Sequence, residues 1–339
     1  MTQALELKTL ASAREIVLPA LRRAAGRLGQ EMRHVVGYHQ GWLDVAGHDV
    51  DAAAGKALRP ALALLSARAV GAPVESGIPA AVAVELVHDF SLLHDDIMDG
   101  DTERRHRPTA WTVFGLPSAI LAGDGLMATA FLVLLEHDSG HGPAAAKSVA
   151  DTLQCLIAGQ VADLAFERRH DVSPHEYLEM AAGKTASLLG CAASLGAVIA
   201  GGAPDVVAGL GEYGRQLGIA FQLADDVLGI WGDSDVLGKP VLADLRARKK
   251  SAPVVAALAA DIPAAARLAE LYHGQDALEE YQLVEVAGLI EECGGRAWAE
   301  RESARRLATS DRLLSRLPIE PDVRDELRAT ARFVVERTH

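Results

Sequence analysis

Apolar residues recur at three- and four-residue intervals along almost the whole chain, and no segment sustains an alternation of apolar and polar residues. This spacing predicts α-helices rather than strands. The pattern is interrupted only by short segments rich in glycine, proline, aspartate and histidine, which indicate turns. The predicted helices cover 10–28, 61–70, 79–99, 118–137, 144–169, 174–200, 204–231, 252–258, 264–272, 277–293, 296–316 and 322–337.

Local signals refine these helices. Pro19 predicts a break or kink in the first helix, and Gly123-Asp124-Gly125 predicts an interruption in the fourth. Ser173-Pro174-His175-Glu176 has the form of a capped helix start with proline at the first position. Because the chain has no low-complexity linker, repeat or long block of charge, we read residues 1–339 as a single all-α domain, a helical bundle.

Composition supports closely packed helices and limits the partners of the protein. Half of the residues are hydrophobic, only 4% are aromatic, and alanine, leucine and valine dominate. The net charge of −13 argues against nonspecific binding to nucleic acid or anionic membranes. Basic residues nevertheless cluster locally, which favours a small anionic ligand.

The cysteines and the apolar segments indicate a soluble protein of a reducing compartment. Cys155, Cys191 and Cys293 are odd in number, widely spaced and embedded in apolar patterns, so we expect three reduced core thiols. Residues 1–10 lack the features of a signal peptide. The uncharged segment 185–204 is rich in glycine, alanine and serine, which favours a buried helix over a membrane span. We therefore expect a cytoplasmic protein without stable membrane insertion.

The most informative stretch is an acidic segment at the end of the third helix. Asp95 and Asp99 are four residues apart, so a helix would place both carboxylates on one face, roughly 6 Å apart at their β-carbons. Such a pair suits a hard divalent cation that shares its remaining coordination sites with phosphate oxygens. Arg104-Arg105 follows at once, and guanidinium groups match phosphate geometry. The alternative interpretation is a solvated acidic helix end.

A second acidic pair, Asp225-Asp226, follows another apolar helix and precedes a basic loop. Two acid pairs at helix ends could face one another across a bundle and hold metal ions between them. The position four residues after Asp225 is Gly229, so this helix face offers one carboxylate fewer than the first.

Basic residues form separate islands that could bind anions. Lys56 and Arg59 lie at a helix entrance, where backbone N–H groups also favour an anion. Lys184 borders the uncharged segment, and Lys239 lies in the basic loop with Lys249-Lys250. A lone lysine or arginine is more often a solvated surface group, and His88, seven residues before Asp95, is as compatible with a core histidine as with a ligand-binding one.

Taken together and in order, these motifs resemble those of the trans-isoprenyl diphosphate synthases, the polyprenyl synthetase family. The resemblance implies an all-α fold with a deep central cavity, usually assembled as a homodimer. The matching segments are GKALRP from residue 55, ELVHDFSLLHDDIMDGDTERR, Gly123-Asp124, Gly159-Gln160, GKTA from residue 183, FQLADDVLG, and GKPVLADLRARKKSAP, which ends at residue 253.

The resemblance also implies the cofactor and the residues that bind it. It assigns Mg²⁺ to Asp95, Asp99 and Asp225, with Asp96 and Asp226 close by. The chain departs from the family pattern at Gly229, where the second motif usually carries aspartate, which puts the full metal stoichiometry in question.

Two further sets follow from the same resemblance. An allylic diphosphate would be held by Arg104, Lys184 and Lys239, with help from Thr185 and Gln222. The diphosphate of isopentenyl diphosphate would be held by Lys56, Arg59, His88 and Arg105.

Product length is expected to depend on the residues one helical turn before Asp95. Phe90 could form the floor of the cavity, while the small Ser91 leaves room. Similar proteins with this arrangement make short products, so we expect C20 geranylgeranyl diphosphate, with C15 farnesyl diphosphate next. Alternatively, Phe90 packs in the core only.

The implied chemistry needs neither a Ser/His/Asp nor a Cys/His nucleophile, and no such motif is evident. Metal and basic side chains would stabilise the departing pyrophosphate, and an apolar pocket would keep water from the cation. Two alternatives remain at this point. One is a cyclase-like member of the same fold, although that would not need the isopentenyl-binding set. The other is a non-catalytic regulatory subunit, which degenerate acids would favour.

Overall fold

The computed structural model describes residues 2–50, 55, 57–232, 242–274 and 277–335, with the backbone alone for residues 2–7 and 243. It confirms the predicted all-α fold class. Its helices are α1 Thr2–Ala25, α2 Gln30–His39, α3 Leu58–Ala69, α4 Ile78–Met98, α5 Ala110–Phe114, α6 Leu116–Leu135, α7 Gly142–Phe166, α8 Pro174–Ala181, α9 Ser187–Ile199, α10 Pro204–Trp231, α11 Ala243–Arg246, α12 Ala252–Leu258, α13 Pro263–Tyr272, α14 Glu280–Glu292, α15 Gly295–Arg316 and α16 Pro321–Val335.

Three short elements complete the described structure. A 3₁₀ turn, Val74–Gly77, precedes α4, and a π-helical segment, Ala182–Ala186, joins α8 to α9. Strands β1 (Glu103–Arg104) and β2 (Arg107–Pro108) form an antiparallel hairpin directly after α4.

The chain divides into two compact units. The first consists of residues 1–151, 191–211 and 314–330. Within it, α4 packs against α1, α3 and α6. Small and aliphatic residues on α3 and α4 are buried, as the composition predicted: Leu62, Ala63, Ala67, Ala80, Ala83, Val84 and Val87 are at most 1% exposed. This packing fixes the helix that carries the first acidic segment.

The second unit consists of residues 152–190, 212–313 and 331–339. One of its apolar clusters surrounds Tyr177 and includes Met180, Ile219, Leu223 and Val255. Another is built around Ile230, with Leu245 and Leu268. Both clusters contain residues of α10, the helix that carries the second acidic segment. The reading of residues 1–339 as one domain stays a prediction.

Several sequence-based expectations require correction. The helix α1 continues through Pro19, and α6 continues through Gly123 to Gly125 because its packing against α4 outweighs the poor helix propensity of glycine. Helix α2 was missed: residues 30–36 were left outside the predicted helices, and residues 37–39 were read as the start of a polar connection. All three cysteines are unbridged, but Cys155 is exposed, Cys293 is intermediate and only Cys191 is buried. The apolar spacing on α7 therefore did not identify which face of this helix is buried, because Cys155 was expected in the core and is exposed.

The capped start of α8 is confirmed. The Ser173 hydroxyl accepts a hydrogen bond from the Glu176 N–H, and the Glu176 carboxylate accepts one from the Ser173 N–H. The uncharged segment is also helical, and most residues of α9 are buried. Four helical stretches are long and apolar enough to cross a membrane: Val74–Met98, Leu116–Leu135, Gly142–Phe166 and Pro174–Ile199. Absence of membrane insertion stays a prediction.

Candidate active site

The first acidic pair has the helical geometry that its spacing predicted. Asp99 is the C-terminal cap of α4, and its N–H donates a 2.8 Å hydrogen bond to the Asp95 carbonyl oxygen. The helical hydrogen-bonding pattern therefore reaches both residues, which share one face of α4. Both side chains are partly exposed. Two partly solvated carboxylates at this spacing match the way Mg²⁺ is bound, with water and substrate phosphate as further ligands.

Asp96 differs from these two acids because its side chain is buried. It accepts hydrogen bonds from Arg104 Nε at 2.7 Å, and Arg104 Nη2 lies 2.6 Å from the same carboxylate oxygen. This two-point contact ties the hairpin to the end of α4 and orients the Arg104 guanidinium. We therefore assign Asp96 a positioning role, while its predicted proximity to metal stays a prediction.

The hairpin after α4 has an unusual turn. Its two central residues, Arg105 and His106, have φ angles of +53° and +59°, the conformation of a type I′ turn. Asparagine and glycine are the usual residues at these positions, because other side chains are strained there. Such strain is often found at functional sites. Sequence reasoning identified Arg105 but missed the hairpin, since strands of two residues carry no periodicity.

The residues predicted to hold isopentenyl diphosphate converge in the first unit. Arg105 Nη2 would lie 3.1 Å from a β-carbon placed on Gly55, so the hairpin arginine lies beside the GKALRP segment. Burial lowers the pKa of His88 well below its usual value, and the charges of Arg59 and Arg105 lower it further. His88 is therefore neutral at physiological pH and can act as a hydrogen-bond donor. Lys56 lies outside the described residues.

Behind this set lies a buried polar cluster that sequence reasoning missed. The Asp89 carboxylate accepts a hydrogen bond from the Gln40 side chain, and His39 Nε2 lies 3.8 Å from the same carboxylate. Burial raises the pKa of Asp89 well above its usual value, as does the neighbouring Glu85. Burial also raises the pKa of Glu85, while Arg59 opposes that shift. The spacing of four residues between Glu85 and Asp89 could have indicated this cluster. It was overlooked because both acids lie within an otherwise apolar predicted helix.

The predicted length-determining residues lie deeper on α4. Phe90 is 8% exposed, and its ring contacts that of His94 edge-on with centroids 4.8 Å apart. The Ser91 hydroxyl donates to the His88 carbonyl oxygen at 2.8 Å. Ser91 is one turn before Asp95 and so shares its helix face, whereas Phe90 points toward His94. The two residues therefore differ in direction as well as in size.

The second acidic pair lies on α10, and its members differ in burial. Asp225 is partly exposed, whereas Asp226 is buried. The Asp226 carboxylate accepts hydrogen bonds from the Tyr177 hydroxyl, the Ala252 N–H at 2.7 Å and Gln222 Nε2 at 2.8 Å. Burial raises the pKa of Asp226 to about 7, while the bonds from Tyr177 and Ala252 oppose that shift. The metal assignment of this pair stays a prediction, and Asp225 is the better placed of the two.

The candidate residues for the allylic diphosphate include a lysine on the π-helical segment. Lys184 Nζ contacts Asp163 Oδ2 at 2.5 Å, and the neighbouring Thr185 hydroxyl donates to Gln222 Oε1 at 2.6 Å. A β-carbon on Gly159 would overlap the backbone of residues 183 and 184, so α7 can approach this segment only through glycine. π-Helical turns are frequent at functional sites. Lys239 lies outside the described residues.

The donor set fits a hard cation and an anion rather than a preformed metal cage. Within the described ranges, the side chains form no cluster of three or more histidine, cysteine, aspartate or glutamate residues arranged to hold a metal ion. A hard divalent cation held by the carboxylate pair on α4 would need further oxygen ligands, such as water or phosphate.

The chain is similar in sequence to known proteins over most of its length. The family model described as polyprenyl synthetase matches residues 40–289. A (2E,6E)-farnesyl diphosphate synthase of Mycobacterium tuberculosis is 46% identical over 334 residues, covering 98% of this chain and 93% of that protein. A geranylgeranyl diphosphate synthase of the same organism is 40% identical over 306 residues, covering 90% of this chain and 87% of that protein.

Solved structures give the same result. The crystal structure of a polyprenyl synthetase from Streptomyces coelicolor A3(2) superposes with a TM-score of 0.94 at 46% identity, covering 99% of this chain and 100% of that one. The two structures therefore share the whole all-α isoprenoid synthase fold. The chain therefore belongs to the polyprenyl synthetase family and is a trans-prenyltransferase of the chain-elongating, isoprenyl diphosphate synthase type.

Proposed function

We propose that this protein condenses isopentenyl diphosphate with an allylic diphosphate in a Mg²⁺-dependent, head-to-tail reaction whose main product is C20 geranylgeranyl diphosphate, with C15 farnesyl diphosphate next. The observation that carries the proposal is the pairing of Asp95 and Asp99 on one face of α4, directly before a hairpin that presents two arginines. This arrangement suits a metal-bound diphosphate.

The residues of the chain have separable roles in the reaction. Asp95, Asp99 and Asp225 would hold Mg²⁺, which supplies Lewis-acid stabilisation of the departing pyrophosphate when bound. Arg104 keeps guanidinium N–H groups beyond those that Asp96 engages, and it would bind the same diphosphate with Lys184. Breaking the allylic C–O bond leaves a cation that is attacked by the alkene of isopentenyl diphosphate. The proton lost from the adduct would go to the pyrophosphate.

The second diphosphate would be held by Arg59, Arg105 and a neutral His88, together with Lys56. The low pKa of His88 keeps its imidazole neutral, so this residue would contribute a hydrogen bond rather than a positive charge to the diphosphate. Glu85 and the buried Asp89 lie behind this set, and burial raises the pKa of both carboxyl groups. The positive charges of Arg59 and Arg105 oppose that rise, which couples the acids to the arginines that would bind the diphosphate.

Product length is the finer part of the proposal. Phe90 is buried, bulky and one to two turns below the acids, whereas Ser91 on the acid-bearing face is small. A growing prenyl chain that follows the face of Asp95 would therefore pass Ser91. The bulky side chain of Phe90 next to it would limit the length of the product. Relatives include both a farnesyl and a geranylgeranyl diphosphate synthase, so both lengths are compatible with the family.

A product assay tests these statements together. The purified protein is incubated with Mg²⁺, isopentenyl diphosphate and each of the C5, C10 and C15 allylic diphosphates, and the products are analysed by mass. We expect C20 to dominate, no elongation after chelation of the metal, and full recovery when Mg²⁺ is returned. Incubation with the allylic substrate alone should yield no hydrocarbon, since a cyclase would release one. Absence of any elongated product would refute the proposal.

Phe90→Ala tests the role of Phe90 directly. Removal of the ring opens space below Ser91, so we expect the product distribution to shift to longer chains. A buried Phe→Ala change costs about 3–5 kcal/mol of stability, so thermal unfolding must be followed in parallel. Tyr213→Phe, a buried change on α10, is the control for general core perturbation. An unchanged chain length in a folded Phe90→Ala variant would show that the ring only packs.

We also propose that the protein is a cytoplasmic homodimer that binds neither nucleic acid nor a membrane stably. Helix α6 supports the dimer, because Leu121, Leu132 and Leu135 share one helix face and are 57%, 46% and 51% exposed. A second copy is the proposed occupant of this face, since the three exposed leucines form an apolar surface that a partner chain would cover. Leu132→Glu should give a monomer in light scattering, and an unchanged mass would contradict this assignment.

A further inference from the structure

The hairpin after α4 carries two adjacent arginines that the proposed function assigns to different substrates. Arg104 would bind the allylic diphosphate, and Arg105 would bind isopentenyl diphosphate. Arg104 pairs with Arg107 across the hairpin, and the turn residues Arg105 and His106 lie between them. The paired residues are half-buried, whereas the two turn residues are exposed. The direction of Arg105 therefore depends on what holds the two ends of the turn.

The end of the turn at Arg107 is attached to α2. Arg107 Nη1 donates a hydrogen bond to the Tyr38 carbonyl oxygen and Nη2 donates one to the Leu43 carbonyl oxygen, both at 3.1 Å. The guanidinium also lies over the Tyr38 ring, with its Cζ 4.2 Å from the ring centroid. Tyr38 belongs to the last turn of α2, where backbone carbonyl oxygens favour a positive charge. The planar fork of arginine makes both bonds and the ring contact at once, which a lysine ammonium cannot do.

Tyr38 completes this contact in the opposite direction. Its hydroxyl donates to the Pro108 carbonyl oxygen at 2.8 Å, so the helix and the hairpin each donate to the backbone of the other. Tyr38 is 3% exposed, and its ring packs edge-on against that of Phe114 with centroids 5.2 Å apart. The buried ring is therefore a rigid anchor for the hairpin. We call Arg107 and Tyr38, with these mutual contacts, the α2 clasp.

The other end of the turn is attached to a different helix. Arg104 contacts the buried Asp96 of α4 through two guanidinium nitrogens. Between these attachments, the positive φ angles of Arg105 and His106 cost free energy, and they persist only where the surrounding structure fixes them. Release of the α2 clasp would therefore let the turn relax and move Arg105, while the contact of Arg104 with Asp96 would remain.

From these observations we propose that Arg107 and Tyr38 are positioning residues for isopentenyl diphosphate. The α2 clasp fixes the turn so that Arg105 meets this substrate, and Asp96 independently orients Arg104. The inference rests on the proposed function, in which Arg105 binds isopentenyl diphosphate. Because the two adjacent arginines have separate attachments, loss of the α2 clasp should weaken the binding of one substrate and leave that of the other nearly unchanged.

Two affinities of the full-length protein test the proposal. Isothermal titration calorimetry in Mg²⁺ without an allylic substrate gives the Kd for isopentenyl diphosphate in the absence of turnover, and steady-state kinetics give the KM for the C10 allylic diphosphate. We expect Arg107→Met to raise this Kd about tenfold and the allylic KM less than about twofold. Arg33→Met, an exposed change on α2, removes the same charge and should behave as the wild type. An equal loss in Arg33→Met would attribute the effect to net charge and overturn the proposal.

Two further variants separate geometry from charge. Arg107→Lys keeps the positive charge but not the planar fork, so we expect it to raise the Kd for isopentenyl diphosphate about fivefold or more. A wild-type Kd in this variant would show that Arg107 acts through its charge, which would overturn the positioning role. Tyr38→Phe keeps the ring and removes the bond to Pro108, so we expect a rise of about threefold without any change in charge. Circular dichroism establishes that each variant is folded, and if Arg107→Met does not fold, Tyr38→Phe decides.

The outcomes separate this inference from the proposed function. Wild-type protein that neither binds isopentenyl diphosphate nor forms an elongated product would overturn both. Weak binding by Arg105→Met together with wild-type binding by Arg107→Met and Tyr38→Phe would overturn only the role of the α2 clasp. Equal losses for both substrates in a folded Arg107→Met variant would show a general structural role and would also overturn the inference.

Discussion

The hydrogen bond from Tyr177 to Asp226 allows a quantitative prediction. Tyr177 is 1% exposed, and its ring is embedded in an apolar cluster with Met180 and Leu223. Burial raises the pKa of its phenol well above the usual value, so the hydroxyl remains a donor to the carboxylate at neutral pH. Tyr177→Phe keeps the ring and its packing and removes only this donor.

The expected cost follows from the type of bond. At a pH above the Asp226 pKa of about 7, where the carboxylate is charged, a hydrogen bond to it contributes about 1.5–3 kcal/mol to stability, more than one between neutral groups. After the change, Asp226 would keep the Ala252 N–H and Gln222 as donors. The free energy of unfolding should therefore fall by about 1.5–3 kcal/mol, and the pKa of Asp226 should rise further because an opposing bond is lost.

Tyr272→Phe is a matched control in the same unit. The Tyr272 hydroxyl is also buried, but it donates to a neutral acceptor, the Lys249 carbonyl oxygen, at 2.6 Å. Its loss should cost about 0.5–1.5 kcal/mol. Guanidinium-induced unfolding, followed by circular dichroism and fluorescence, measures both variants. If Tyr177→Phe costs no more than Tyr272→Phe, the Asp226 carboxylate is not stabilised by charge-assisted bonding and the reasoning is refuted.

Three further predictions concern other parts of the candidate site. Ser91→Phe should shorten the product toward C15, as measured by mass, because an aromatic ring would lie one turn below Asp95; an unchanged length would exclude this face as the path of the chain. Lys184→Gln should raise KM for the allylic diphosphate at least tenfold with little change for isopentenyl diphosphate, whereas equal effects on both would contradict the assignment. Asp89 has a raised pKa in the folded protein, so the folded state holds a proton that the unfolded chain releases, and stability should fall as pH rises above the ordinary aspartate pKa toward the raised value. Asp89→Asn should flatten this dependence in urea unfolding measured between about pH 5 and pH 8.

The sequence predicted the helices well where apolar periodicity and end signals agreed. Helix α10 ends at Trp231 as expected, and the Ser173–Glu176 capping box is present. These features depend on local interactions, which a sequence displays directly. The face of α7 that carries Cys155 could not be identified, because coverage of a helix face depends on tertiary and quaternary packing rather than on spacing.

Site geometry was predictable only in part. The spacing of Asp95 and Asp99 revealed a shared helix face because both belong to one helix. In contrast, the burial of Asp96 against Arg104 depends on a hairpin too short to carry a periodic pattern. The Asp244 carboxylate packs against Gly229, fifteen positions earlier, and a tertiary contact of this kind leaves no pattern in the sequence.

The turn at Arg105 and His106 has a consequence for protein engineering. Both residues adopt a conformation that asparagine and glycine would accept with less strain, so Asn-Gly at these positions should raise thermal stability. The same exchange removes the guanidinium proposed to grip isopentenyl diphosphate. A selection for heat resistance alone would therefore drive this loop toward inactive variants, and a search for robust catalysts should hold Arg105 constant while it varies His106.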